Sequence, residues 1–138
     1  MKNVSLLEAE YLAYKLAKEL MNYDEPLPDF GTRYPGKLES CLEQPFQTFD
    51  GEDLYPTIVD KAAVLFYLIT KNHPFENGNK RMAVTMTLLF LFKNSHWLKI
   101  NPEDLYELAL IVAKSKANEK DYVISKLEES FSRLLVKN

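Results

Sequence analysis

The apolar positions of this chain gather into two long runs with a short polar interruption between them. The first, Asp60 to Asn72, carries Ala62, Ala63, Leu65, Phe66, Leu68 and Ile69 over most of a helix circumference. The second, Asn79 to about Lys93, is apolar nearly all round, through Met82, Val84, Met86, Leu88, Leu89, Phe90, Leu91 and Phe92. A helix apolar on every face is buried among other helices, so these two form the predicted centre. The other elements follow from caps and spacing. Ser5-Leu-Leu-Glu8 is a capping box, and Leu7, Tyr11, Tyr14, Leu16 and Leu20 predict a helix from near Leu6 to about Asn22. Prolines and glycines make 23–36 a loop that Leu27, Phe30 and Tyr34 anchor. A short helix, Lys37 to Glu43, stops before Pro45. Phe46 to Pro56 has no helical period, and its Asp50-Gly51 pair favours a tight turn. Thr57 to Asp60 caps the first apolar run. Asn101-Pro102 opens a further helix with Leu105, Leu108, Ala109, Ile111 and Val112 inward. Asn118 caps a last one with Tyr122, Ile124, Leu127, Phe131 and Leu134 inward. The expected fold is all-α: one compact domain, 1–138, of about six helices.

The interruption carries the candidate chemistry. His73-Pro-Phe-Glu-Asn-Gly-Asn-Lys-Arg81 holds more functional groups than a plain connection needs. Pro74 disfavours the helical conformation at His73, so the first run stops there. Gly78 stands where the backbone turns into the next helix and where a positive φ costs little. Asn79 is a favourable N-cap. Lys80 and Arg81 then fall in the first helical turn, beside free N–H groups and the positive end of the dipole. Two cations there make sense if an anion shares the site, and phosphate is its usual guest. His73 stands at the lip, able to move a proton. A histidine ending a helix next to two solvated bases is the plainer reading; the combination of residues argues against it.

HPFENGNKR resembles the Fic/Doc family signature, HPFx(D/E)GN(G/K)R, and its lysine form looks like the death-on-curing (Doc) branch. Leu38-Glu-Ser-Cys-Leu-Glu-Gln-Pro45 and Phe49-Asp-Gly-Glu-Asp-Leu-Tyr-Pro56 look like that branch too. The resemblance implies a helical bundle with a short flap before the central helix pair, and a role for each matching position. His73 would be the general base on a protein hydroxyl. Gly78, Asn79, Lys80 and Arg81 would hold the phosphates of ATP, and Phe75 would point inward and pin the loop. Phe49, Asp50, Gly51, Glu52, Asp53 and Leu54 would form the flap that receives a peptide segment by strand addition. The family's magnesium carboxylate is replaced by Asn77, a weaker ligand for Mg2+, with Glu76 one residue earlier. A further arginine found in many Fic enzymes is Val84 here. Lys80, where Fic enzymes carry glycine, implies ATP bound in the reversed sense, with the γ-phosphate presented. The implied activity is a protein kinase acting on a translation protein, such as an elongation factor, as the toxin of a toxin–antitoxin pair. Transfer of AMP, and a degenerate domain that binds nucleotide or a partner without turnover, are the alternatives. Ser125 and Glu129 match the spacing of a self-inhibitory helix, but Ser130 breaks its pattern. Restraint by a separate antitoxin is the stronger expectation.

Composition narrows this picture. A net charge of −3 lacks the basic surplus of a DNA binder. Met82 to Phe92 is too short to span a bilayer and is broken by Thr85 and Thr87. Only one cysteine, Cys41, is present, which excludes an internal disulfide and fits a reducing compartment. It reads as a small packed residue. With no signal peptide in view, the expected location is cytoplasmic, with neither DNA nor membrane as partner. His96 has no metal-ligand partner at useful spacing.

Overall fold

A computed structural model describes residues 1–13, 15, 19, 35–75 and 78–138. Six α-helices are bounded among these residues: α1 (Leu6–Glu8), α2 (Pro35–Glu43), α3 (Ile58–Asn72), α4 (Asn79–Lys93), α5 (Pro102–Lys114) and α6 (Lys120–Leu134). Two antiparallel strand pairs accompany them, β1 (Thr48–Phe49) with β2 (Glu52–Asp53) and β3 (His96–Leu98) with β4 (Leu135–Lys137). The fold is the expected all-α bundle.

Helix α3 is its axis. Every residue from Lys61 to Thr70 is buried, and the helix packs against α2, α4, α5 and α6. Its start is the predicted capping box: Thr57 Oγ1 accepts from the Asp60 N–H, and the Asp60 carboxylate accepts from the Thr57 N–H. Helix α4 is buried from Arg81 to Leu91, as its all-round apolar sequence requires. Between apolar neighbours, the Thr70 and Thr85 hydroxyls donate back to the Phe66 and Arg81 carbonyls, at 2.9 Å each. Phe66 meets Phe131 of α6 edge to face, with centroids 5.6 Å apart. Polar ties fix the ends. Lys71 Nζ donates to the Ser115 carbonyl at 2.6 Å and the Ala113 carbonyl at 3.4 Å, placing a cation at the C-terminus of α5. Lys93 Nζ holds the Asn3 carbonyl at 2.7 Å and the Glu8 carboxylate at 2.5 Å.

Several expectations change. Helix α1 passes into a π-type turn at Ala9–Ala13 with Leu7 and Tyr11 exposed, because Val4 and Ala9 supply its buried side. The remaining helix positions named there (Tyr14, Leu16, Leu20) and the loop anchors Leu27, Phe30 and Tyr34 lie outside the described residues. Pro35 and Gly36 open α2 rather than ending the loop, and Pro45 sits in a 3-10 turn, Gln44–Phe46, that follows it. Ile111 and Tyr122 point outward: the inner faces of α5 and α6 are already filled by Leu105, Ala109, Val112, Ile124, Leu127 and Phe131. Lys126 covers the Tyr122 ring instead. Asn118 lies inside a 3-10 turn, Ala117–Glu119, so α6 starts at Lys120 behind Glu119. His96 and Trp97 belong to β3, paired with the last residues of the chain. No helix among the described residues is long and apolar enough to cross a membrane.

Helix α6 also meets the first turn of α3 through acids. Burial, and then a hydrogen bond and charge from Asp60, push the Glu128 carboxyl up to about 7. The folded state therefore keeps a proton that the unfolded chain, with an ordinary glutamate near ~4.3, has lost. Stability should fall as pH rises from the ordinary glutamate range towards neutrality, then level off. Urea denaturation should show that slope in the wild type and not in Glu128→Gln, which should be the more stable of the two at mildly alkaline pH. A wild-type stability that rises across this range would contradict the pairing.

Candidate functional site

The site is built where α3 hands over to α4. Helix α3 ends at Asn72, and His73 takes a left-handed conformation, φ 49 and ψ 57. Pro74 behind it accounts for the break; a non-glycine residue held this way carries strain of order 1–3 kcal/mol. Pro74 and Phe75 turn inward and are buried, whereas His73 stays exposed. Gly78 completes the reversal at φ 71, a value that suits glycine.

Asn79 takes a different part from the one predicted. Gly78 occupies the capping position and Asn79 is the first helical residue. Its carboxamide reaches back across the turn to both backbone groups of Phe75. Oδ1 accepts from the Phe75 N–H at 2.9 Å, and Nδ2 donates to the Phe75 carbonyl at 3.0 Å. The side chain is thus committed to holding the loop, leaving its backbone N–H for an anion. The first bond of α4 runs from the Met82 N–H to the Gly78 carbonyl at 2.8 Å. The N–H groups of Asn79 and Lys80 come before that bond, in the first turn of the helix. No acid lies in this turn. Lys80 is half-buried, while Arg81 is only 2% exposed and engaged within the fold. The turn has the polarity of an anion site. Asn77 and Glu76 lie outside the described residues. Val84 is fully buried in the core.

A feature the sequence did not reveal is the wall beside His73. A cleft of about 390 Å³ is lined by Gly36, Lys37, Ser40, Lys71, Asn72 and His73, so α2 supplies one side. These residues are far apart in sequence, and no local pattern joins them. Cys41 ties the two sides: the Asn72 amide donates to its Sγ at 3.8 Å. The thiol is fully buried and burial pushes it up to about 11, so it packs and is no nucleophile.

The flap is a hairpin. Asp50 and Gly51, at φ 54 and 80, form the two-residue turn with positive φ at both positions. Thr48 pairs with Asp53 and Phe49 with Glu52, and their side chains are exposed, Phe49 at 75%. Its base is fixed at the opposite end of α3 from His73. Lys61 Nζ, buried in the first turns of α3, donates to the Tyr55 carbonyl at 2.5 Å and the Pro45 carbonyl at 3.2 Å. From Lys61 to Asn72 the helix rises roughly 16 Å. The predicted residues therefore fall in two groups, the loop with the first turn of α4, and the flap. Glu129 belongs to neither: its carboxylate meets Arg133 at 3.2 Å and Lys126 at 3.6 Å on the exposed face of α6, which does not support self-inhibition.

The Asn79 clamp can be tested apart from any activity. Asn79→Ala removes both hydrogen bonds to the Phe75 backbone and should cost about 1–3 kcal/mol, read by urea denaturation. Asn79→Asp keeps the acceptor but sets a second oxygen against the Phe75 carbonyl, so it should also destabilise. Wild-type stability in both variants would contradict the clamp.

Comparison with known proteins agrees with this geometry. The model of the family described as Fic/DOC matches residues 7–91. A curated protein named Toxin Doc, from Mycolicibacterium smegmatis, is 39% identical over 59 residues, a match covering 43% of this chain and 45% of that protein. The chain thus spans less than half the length of this relative. With well over half its residues matched, and with the reversal at 73–81 inside that span, the chain belongs to the Fic/DOC family.

Proposed function

We propose that this chain is a protein kinase of the Doc type, transferring a phosphoryl group from ATP to a hydroxyl on a translation protein. In this reading it is a cytoplasmic toxin restrained by a separate antitoxin. The observation that carries the chemistry is the exposed His73 held at the lip of a helix N-terminal turn that contains Lys80 and no acid. Similarity to the mycobacterial protein named Toxin Doc supports the biological role.

The residues present suit a triphosphate. The positive end of the helix dipole and Lys80 belong to one turn, which Gly78 precedes and which contains no acid. Among the described residues there is no cluster of histidine, cysteine or acidic side chains that could hold a metal. Magnesium would come with the phosphates, and we assign Asn77 as its protein ligand. Bound ATP supplies the phosphoryl group. His73 takes the proton from the acceptor hydroxyl as its oxygen bonds to the γ-phosphorus and the bond to the ADP oxygen breaks. The first turn of α4 holds the phosphates in line and offsets their charge. Lys80 fills the space beside the backbone and favours presentation of the γ- over the α-phosphate.

The test is parallel incubation of a cell lysate with ATP labelled at the α or the γ position, followed by the mass of the labelled protein. Gain of one phosphate from the γ label is expected; gain of AMP from the α label would replace this reading with nucleotidyl transfer. Label in neither, with measurable ATP binding, would favour a binding module in which Asn77 has cost the site its turnover. His73→Ala should lower transfer by roughly 10²–10⁴-fold at unchanged thermal midpoint, since the side chain lies outside the core. Near wild-type transfer by this variant would remove His73 from the mechanism.

A further inference from the structure

Lys61 stands out among the buried residues. It is 2% exposed in a helix face otherwise lined by alanine, leucine and phenylalanine. A buried ammonium needs a reason, because an apolar residue of similar volume commonly serves packing as well or better. The reason lies in its partners. A lysine has three N–H donors and no acceptor. Here Nζ faces the Pro45 carbonyl at 3.2 Å, the Tyr55 carbonyl at 2.5 Å and the Asp53 carboxylate at 3.4 Å. The Phe46 ring lies beneath it, 5.0 Å from Nζ to the centroid.

These partners share one location. Pro45 precedes the flap, Tyr55 follows it, and Asp53 belongs to its second strand. A single side chain therefore closes both ends of the hairpin and grips it from within. Among the described residues, the hairpin has little else to hold it. Thr48, Phe49, Glu52 and Asp53 are all exposed, and the Leu54 N–H to Gln47 carbonyl bond at 3.0 Å closes its base. Isolated two-stranded hairpins are marginal in water. Phe46 and Tyr55 are partly buried and seat the ends, with Phe46 edge-on to Phe90 at 6.0 Å. They do not join one end to the other; Lys61 does. The Asp53 carboxylate reaches Lys61 while its side chain stays 48% exposed.

We propose that Lys61 is a positioning residue for the acceptor protein: it fixes the flap on α3 at the pose in which a peptide segment pairs with it and reaches His73. This rests on the transfer reading above and on the flap as its docking edge. The nucleotide end is left to the loop at 73–81.

The test uses the whole chain with Lys61→Met, which keeps the stem and removes the charge. A second variant, Asp53→Asn, alters only a surface carboxylate and leaves the core as it is. Amide hydrogen exchange is followed at Leu54 in the flap and at Met86 in α4. Transfer is measured with ATP and the acceptor that the labelling experiment identifies. Lys61→Met should speed exchange at Leu54 by about tenfold or more, with Met86 changed by less than about twofold. It should raise KM for the acceptor about tenfold, with kcat and KM for ATP within about twofold. Asp53→Asn should move Leu54 and the acceptor KM in the same direction by less. Unchanged exchange at Leu54 would overturn the proposal. Equal acceleration at Leu54 and Met86 would also overturn it, by making Lys61 a residue of general stability. Faster exchange with an unchanged acceptor KM would overturn the positioning role while leaving the transfer reading in place. If the wild type transfers no label, it is the transfer reading that has failed; selective loss of protection at Leu54 would then still support Lys61 as the anchor of the flap, and its retention would overturn that.

Discussion

The carboxamide of Asn79, bonded to both backbone groups of Phe75, is the contact on which the site depends. Helices α3 and α4 are buried along nearly their whole length, so neither can yield to accommodate the turn between them. At the two sides of the turn, His73 and Gly78 are both left-handed. Glycine adopts that conformation freely; histidine does not. The buried Phe75 and the clamp around it hold the turn in place. Once they do, the rest follows from helix geometry. The first turn of α4, with Lys80 in it, follows the loop, and His73 stays exposed beside the cleft walled by α2.

The long central helix then separates two tasks. Its C-terminal end carries His73 and the turn into α4. Its N-terminal end carries Lys61 and, through it, the flap. A rigid rod fixes the span between them, and a buried helix packed on several others is the most rigid element this fold offers. The N-terminal end of α3 also meets α6 through Asp60 and Glu128.

What the sequence made legible was local. The capping boxes at Ser5 and Thr57, the Asp50-Gly51 turn, the break at Pro74 and the left-handed Gly78 all depend on neighbours in the chain, and they could be read from it. So could the burial of α4, because an all-round apolar helix has one physical outcome. The misses share a different cause. Lys61 reads as an ordinary charge in a helix until the carbonyls of Pro45 and Tyr55 are brought to it. Asn79 has the right side chain for a cap, yet Gly78 takes that place and frees the amide for Phe75. Strands β3 and β4 are three residues each and pair across most of the second half of the chain, so neither carries a period of its own. Ile111 and Tyr122 lie on the exposed faces of α5 and α6. Ser40 and Lys37 gain meaning only from the cleft they share with His73.

Everything proposed for the chemistry requires that the first turn of α4 be an anion site aimed by the Phe75–Asn79 clamp. An NMR titration of 15N-labelled protein with Mg-ATP, following backbone amides, addresses this without any acceptor protein. The largest shifts are expected at Gly78, Asn79, Lys80 and Arg81, smaller ones at His73, and none at Phe49 to Asp53. The same titration of Asn79→Ala should need more nucleotide to reach half its amplitude. Shifts centred on the flap, or a saturable response that leaves 78–81 unmoved, would contradict an anion site at this turn.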